Sequence, residues 1–239
     1  MWRFKFYTIM SILVFALLYL HTTLIVLFSI PCVLIRQKNC VRKVVHIWSV
    51  VSFWLTIKKV SVKGLEHVDK NKKYILVANH ASLFDIMAIM KVFPGVSWFG
   101  RERLQKIPLF GSVLKMIDYI PMKSGNIKNT RQMITKLIQN SGTMTIAIFP
   151  EGTRTTQGPL NRFHKGFIYV LKASQHDVLP VTLNGFFSLK PKTRMTINFS
   201  STLEMIIHDP IENKNLKDKS DIDIISQVKD VIESAYSYN

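Results

Sequence analysis

The pattern of apolar and polar positions divides the chain near residue 57. From Phe6 to Ile35 no residue is charged, and only His21 and scattered Ser and Thr interrupt the apolar run. At a helical rise of about 1.5 Å per residue, such a run can cross a hydrocarbon core of roughly 30 Å. A signal peptide would carry an apolar region of about 7–15 residues ending in small residues. This run is longer and ends at SIPCVLI, which predicts a retained membrane segment. A second uncharged run, Val44–Ile57, is too short to span. Its Trp48 and Trp54 suit the headgroup boundary, where the ring is buried and the N–H stays in water. A buried core helix is the competing reading of that run.

Beyond residue 57, short apolar runs alternate with longer amphipathic ones. KKVSVKG (Lys58–Gly64) alternates with period two and closes on Gly, as a strand does. YILVAN (Tyr74–Asn79) is a continuous run that predicts a buried strand, and Ser82–Phe93 follows with helical spacing. VSWFG reads as a short strand, and Arg103–Met116 as a helix broken or bent near Pro108 and Gly111. YIPM precedes a helix over Ile127–Gln139, and Thr143–Pro150 is the clearest buried strand. Tyr169–Ser174 reads as helix, VLPVTLNG as strand, and Thr193–Ser200 and Thr202–Ile207 as two further strands. An amphipathic segment, Ile222–Tyr236, closes the chain. Strands alternating with helices predict an α/β fold: a mostly parallel central sheet flanked by helices, over 58–239. Residues 1–57 form the membrane-anchoring helical segment in front of it.

Charge narrows the partners. The net charge is +17, and nine Lys and Arg precede the first acidic residue, Glu66. So large an excess suits nucleic acid or an anionic membrane. The apolar segment decides for the membrane, where each juxtamembrane Lys or Arg is worth about 1 kcal/mol. Arg36, Lys38, Arg42 and Lys43 follow the first apolar run against Arg3 and Lys5 before it. That asymmetry favours the inner membrane with the α/β domain facing the cytoplasm. Cys32 and Cys40 have no CxxC or metal spacing, so free thiols are expected. No His, Cys or carboxylate cluster has ligand spacing either, and no metal is expected.

Two stretches carry chemistry. NHASLFD (Asn79–Asp85) lies where a predicted buried strand gives way to a helix, and α/β sheets bind ligands at the carboxyl ends of their strands. Asp85 can serve as a first-turn partner of a Ser82 cap. It can equally reach back to the ring of His80. A carboxylate on one imidazole nitrogen fixes the tautomer and stabilises the imidazolium, leaving the other nitrogen as a base. The second stretch, IFPEGTRT (Ile148–Thr155), directly follows the clearest strand. Gly152 permits a sharp turn, and Arg154 offers a planar fork suited to phosphate. Glu151 and Arg154 could instead form an exposed pair worth under about 1 kcal/mol.

Taken together, the two stretches resemble the glycerophospholipid acyltransferase family, above all the bacterial 1-acyl-sn-glycerol-3-phosphate acyltransferases, which carry a His-four-residues-Asp motif and a Phe-Pro-Glu-Gly-Thr-Arg motif in this order. GRERLQKIPLFG (Gly100–Gly111) is similar to the family's second motif, its usual basic residue falling on Arg101 and a common carboxylate replaced by Arg103. VLPVTLNG, with Pro180 and Val181, is similar to the fourth, and RFHKG (Arg162–Gly166) suits the segment between. The resemblance covers about Ile57 to Gly185.

It implies that His80 acts as general base on the free hydroxyl of lysophosphatidic acid and that Asp85 orients it. The hydroxyl attacks an acyl thioester, of coenzyme A or of acyl carrier protein, without an acyl-enzyme. Arg101 and Arg154 would bind the acceptor phosphate, with Glu151, Gly152 and Thr153 in the same substrate-binding loop. Acyl transfer to another lysolipid, such as a lyso-aminolipid, is the alternative within the enzyme class. Outside it stand a membrane-tethered lipid-binding module, which needs no base, and a nucleic-acid binder, which leaves the paired motifs unexplained.

Overall fold

The continuous apolar runs become the middle of a seven-stranded sheet. The computed structural model describes residues 2–122 and 144–238; the helix expected over Ile127–Gln139 lies outside the described residues. The strands are β1 (Val60–Lys63), β2 (Tyr74–Ala78), β3 (Ser97–Arg101), β4 (Ile120–Met122), β5 (Ile146–Ile148), β6 (Asp177–Asn184) and β7 (Leu203–Ile207). Their order is β1-β7-β6-β2-β5-β3-β4. Every neighbouring pair is parallel except β6 with β7, so β1 and β7 oppose the other five. β2 is buried at all five positions whereas the edge strand β1 alternates. A continuous run marks a strand covered on both faces, and period two marks one wetted on one side. YIPM, which the sequence marks only as preceding a helix, supplies β4 on the opposite edge.

Among the described residues, five helices pack on the faces: α3 (Phe84–Val92), α4 (Phe110–Met116), α5 (Gly166–Ala173), α6 (Phe186–Leu189) and α7 (Asp221–Ser234). Successive side chains of β2 point to opposite faces. Tyr74, Leu76 and Ala78 accordingly join the core containing α3 and α4, while Ile75 and Val77 join the one containing α5 and α7. On α7, Ile224, Val228 and Ile232 recur every four residues and are fully buried. Its start is capped by Ser220, whose side chain accepts from the Asp223 N–H. From β2 the chain crosses to β3 on one side of β5; from β5 it crosses to β6 on the other side of β2. Adjacent strands whose connections diverge leave a crevice at their carboxyl ends. Both motifs sit at this crevice.

The amino-terminal segment forms a helical hairpin, α1 (Trp2–Leu34) and α2 (Lys38–Leu55). Phe6–Leu34 is long and apolar enough to cross a membrane. A buried stripe of Ser11, Val14, Leu18, Ser29 and Cys32 nevertheless runs most of its length, while Ile12, Leu20 and Phe28 are exposed. The helix is held to the domain near its start, where Tyr7 stacks on Phe199 at 6.2 Å and Ser11 Oγ accepts from the Ile197 N–H at 2.9 Å. At the hairpin turn, Lys38 and Arg42 pair with the buried Asp118 at 2.5 and 2.8 Å.

Three expectations need correction. Cys32 and Cys40 are joined in a disulfide rather than free, because the hairpin turn brings their Cα atoms to 5.8 Å. Trp48 does not face water: its Nε1–H donates to Thr22 Oγ1 on α1 at 3.0 Å, and only Trp54 remains exposed. Thr193–Ser200, β-prone in composition, is irregular. Its Ile197 is buried against α1, and the Arg194 guanidinium donates to the carbonyls of Ser188 and Leu189 at the end of α6. Packing onto α1 and capping α6 satisfy the segment without a ladder.

Candidate active site

The chain leaves β2 through Asn79, whose buried amide replaces the next rung of the sheet. Its Nδ2 donates to Leu183 O at 3.0 Å and its Oδ1 accepts from the Leu183 N–H at 2.7 Å. His80 follows, anchored at the strand end. Its Nδ1 lies 2.8 Å from Asp85 Oδ2. That oxygen also accepts the backbone N–H groups of Ala81 and Ser82 at 2.6 and 2.8 Å. One oxygen of Asp85 thus shapes the turn and meets the ring, while the Ser82 cap does not form: α3 starts after Leu83 without a side-chain cap. Asp85 Oδ1 is buried without a hydrogen-bond donor among the described residues.

The His80 ring stacks on Phe149 with centroids 4.0 Å apart and planes 9° from parallel, and Phe149 packs on Trp98. Among the described residues Nε2 has no hydrogen-bond partner, and the ring lines a cavity of about 1280 Å³. A neutral imidazole with Nδ1–H on Asp85 presents a free lone pair there. Ser82, by contrast, is fully buried and donates its hydroxyl to Lys190 O at 2.8 Å. It offers no nucleophile to the cavity.

The second motif follows β5. Gly152 takes the left-handed conformation, φ 66°, that its turn requires. Glu151 is almost fully buried; Oε1 accepts the His80 N–H at 2.6 Å and Oε2 the Asn161 N–H at 2.9 Å. Thr155 N–H adds a bond to His80 O at 2.9 Å. The carboxylate of Glu151 thus fastens this loop to the histidine. Burial pushes it up to about 7, against the pull of the two N–H donors and with help from the charge of Asp85. A carboxyl raised in this way contributes its stability below the unfolded carboxyl range, near 4.3, and loses it as pH rises through about 7. The melting temperature of the chain minus that of Glu151→Gln should therefore fall between pH 4.5 and 8 in parallel thermal scans. A flat difference would show the carboxyl ionised throughout.

The exposed Glu151–Arg154 pair does not form. Arg154 is half-buried and makes no ion pair among the described residues; burial works against its charge and Asp85 supports it. Arg101, at the end of β3, donates to Gly152 O at 3.3 Å, which brings the two arginine-bearing loops to one rim. Thr153 lines the same cavity. So do His164, Lys165 and Lys192, which the sequence reading did not assign to the site. His164 and Lys165 fall in the RFHKG segment, whereas nothing in the sequence around Lys192 marks it. Glu102, Arg103 and Lys106 stand on the lining too, and an apolar stretch of wall comes from Ile25 and Val26 of α1, Trp48 of α2 and Val113 and Leu114 of α4.

The His80 imidazole, the half-buried Arg154 guanidinium and apolar side chains of α1, α2 and α4 thus share one cavity. The Acyltransferase family model matches residues 59–184, more than half the chain. The chain belongs to the acyltransferase family. Within it, the chain is 32% identical over 165 residues to the 1-acyl-sn-glycerol-3-phosphate acyltransferase of Borreliella burgdorferi, covering 66% of this chain and 63% of that one. It is 28% identical over 167 residues to the protein of that name from Cocos nucifera, covering 68% of this chain. The chain spans about half the length of the plant acyltransferases it matches, 52% of the Cocos protein and 48% of LPAT1 from Arabidopsis thaliana. Among solved structures, the 1-acyl-sn-glycerophosphate (LPA) acyltransferase PlsC of Thermotoga maritima superposes with a TM-score of 0.79 at 25% identity, covering 95% of both chains. That likeness includes the helical hairpin as well as the sheet.

Proposed function

We propose that this acyltransferase transfers a fatty acyl group from an acyl thioester to the sn-2 hydroxyl of 1-acyl-sn-glycerol-3-phosphate, giving phosphatidic acid. The observation that carries the reading is the His80–Asp85 pair, its free Nε2 opening into the cavity that Arg154 shares. Nε2 takes the hydroxyl proton as the oxygen attacks the thioester carbonyl. The C–S bond then breaks, and the thiol leaves with the proton from the imidazolium, which Asp85 has stabilised. No covalent acyl-enzyme forms, in keeping with the buried Ser82. Arg154 and Arg101 hold the acceptor phosphate, and Gly152 and Thr153 shape the loop around it. The donor is acyl-CoA or acyl carrier protein, and the chemistry calls for no metal or other cofactor.

The hairpin attaches the enzyme to the inner membrane with the α/β domain on the cytoplasmic side. Because α1 is held to the domain along one stripe, its exposed apolar sides rest in one leaflet rather than passing through both. Juxtamembrane Arg36, Lys43 and their neighbours add attraction to anionic lipid. The deciding experiment is thioester release by the full chain on vesicles, against a panel of lysolipid acceptors. Release that requires lysophosphatidate supports the reading. Release with a lyso-aminolipid instead moves the acceptor, and none with any acceptor leaves a lipid-binding module.

A further inference from the structure

The chain after α7 lies outside the family match and carries no motif, yet it ends on the loop that holds His80. Tyr236 Oη donates to Gly158 O at 2.6 Å. Tyr238 covers the same residue: a Cβ at Gly158, where φ is 103°, would sit 2.7 Å from its ring. The tail is itself fixed to the end of β6, since Asn184 Nδ2 donates to Ala235 O and Asn184 Oδ1 accepts the Ser237 N–H, both at 2.8 Å. Gly158 belongs to a turn closed by Thr155 Oγ1 donating to Pro159 O at 2.8 Å. Both ends of that turn grip the histidine, through Thr155 N–H on His80 O and through Asn161 N–H on Glu151, which holds the His80 N–H.

We propose that the carboxyl-terminal tail is part of the active-site architecture, with Tyr236 as a positioning residue that sets the Thr155–Asn161 turn and through it the backbone of His80. Tyr236 does not line the cavity, so it acts through the loop and not on substrate. Burial raises its phenol, and the charges of Glu151 and Asp85 raise it further, so the hydroxyl remains a donor. A short β6-to-loop brace suits this place because the loop follows β5 and has no strand or helix of its own between residues 149 and 165. Its other ties are the bonds to His80, the Arg101 bond to Gly152 O and the buried Phe163, none of which reaches Gly158.

The test uses the full chain on vesicles, as Tyr236→Phe and, separately, Tyr238→Ala, which removes the cover but keeps the hydroxyl. Amide hydrogen exchange is read at His80 and over 155–161, and steady-state kinetics are measured alongside. Loss of one neutral hydrogen bond gives roughly a 2- to 10-fold change. Exchange at His80, Thr155 and Asn161 should rise by that factor in Tyr236→Phe while β2 and β6 stay protected. With it, kcat should fall by a similar factor at unchanged thioester KM. Unchanged exchange at His80 overturns the proposal, and so does raised exchange with unchanged kcat, which would make the tail merely structural. The kinetic arm rests on the acyl-transfer reading; if the unmodified chain releases no thiol, that reading fails and the exchange arm decides alone.

Discussion

His80→Ala should abolish acyl transfer while the chain still folds and binds vesicles. Removing a general base costs about 100- to 10,000-fold in turnover. The fold should survive because the ring stacks at the cavity wall, and Asp85 keeps its bonds to the N–H groups of Ala81 and Ser82 when the imidazole is gone. The bonds that place residue 80, to Glu151 and Thr155, use its backbone and persist in alanine. Thioester release at saturating lysophosphatidate, with a melting curve alongside, measures both halves. Turnover within a few-fold of the parent chain would remove His80 from the chemistry.

Arg154→Ala should lose activity in a way that depends on the acceptor. Its guanidinium is half-buried, supported by the charge of Asp85, and has no ion pair among the described residues, an arrangement that leaves it available to a ligand's anion. A charged hydrogen bond is worth about 1.5–3 kcal/mol, or roughly 10- to 150-fold in kcat/KM for lysophosphatidate. Lysine at this position should recover part of it, because the charge returns without the planar fork. The comparison is kcat/KM for the acceptor at saturating thioester against the reverse. A loss confined to the thioester would assign Arg154 to the donor side.

The sheet and the His80–Asp85 contact were legible because each leaves a local mark. β2, β5 and β6 are runs of apolar residues long enough to be buried on both faces, and Ile224, Val228 and Ile232 announce α7 by spacing. The His80–Asp85 pair is likewise written within one turn of chain. What the sequence hid is long-range. Thr193–Ser200 reads as a strand until α1 is laid against Ile197, which a local pattern cannot foresee. Trp48 looks like a headgroup anchor until Thr22, 26 residues away, takes its N–H. The disulfide depends on a hairpin turn, and Lys192 reaches the cavity from a segment with no motif. Tyr236 is a further case, its partner Gly158 lying 78 residues back.

That Ile25 and Val26 of α1 form part of the cavity wall bears on how such enzymes can be engineered. The hairpin is not an interchangeable tether. Grafting an unrelated transmembrane helix onto residue 58 would remove the α1 and α2 side chains from the cavity that His80 lines and open it on that side. Exchanging hairpins between relatives would carry over part of the pocket's shape with the anchor. Chimeras should therefore keep the hairpin together with its own α/β domain, since the wall residues of the amino-terminal segment end at Trp48 and any junction between it and His80 exchanges them all.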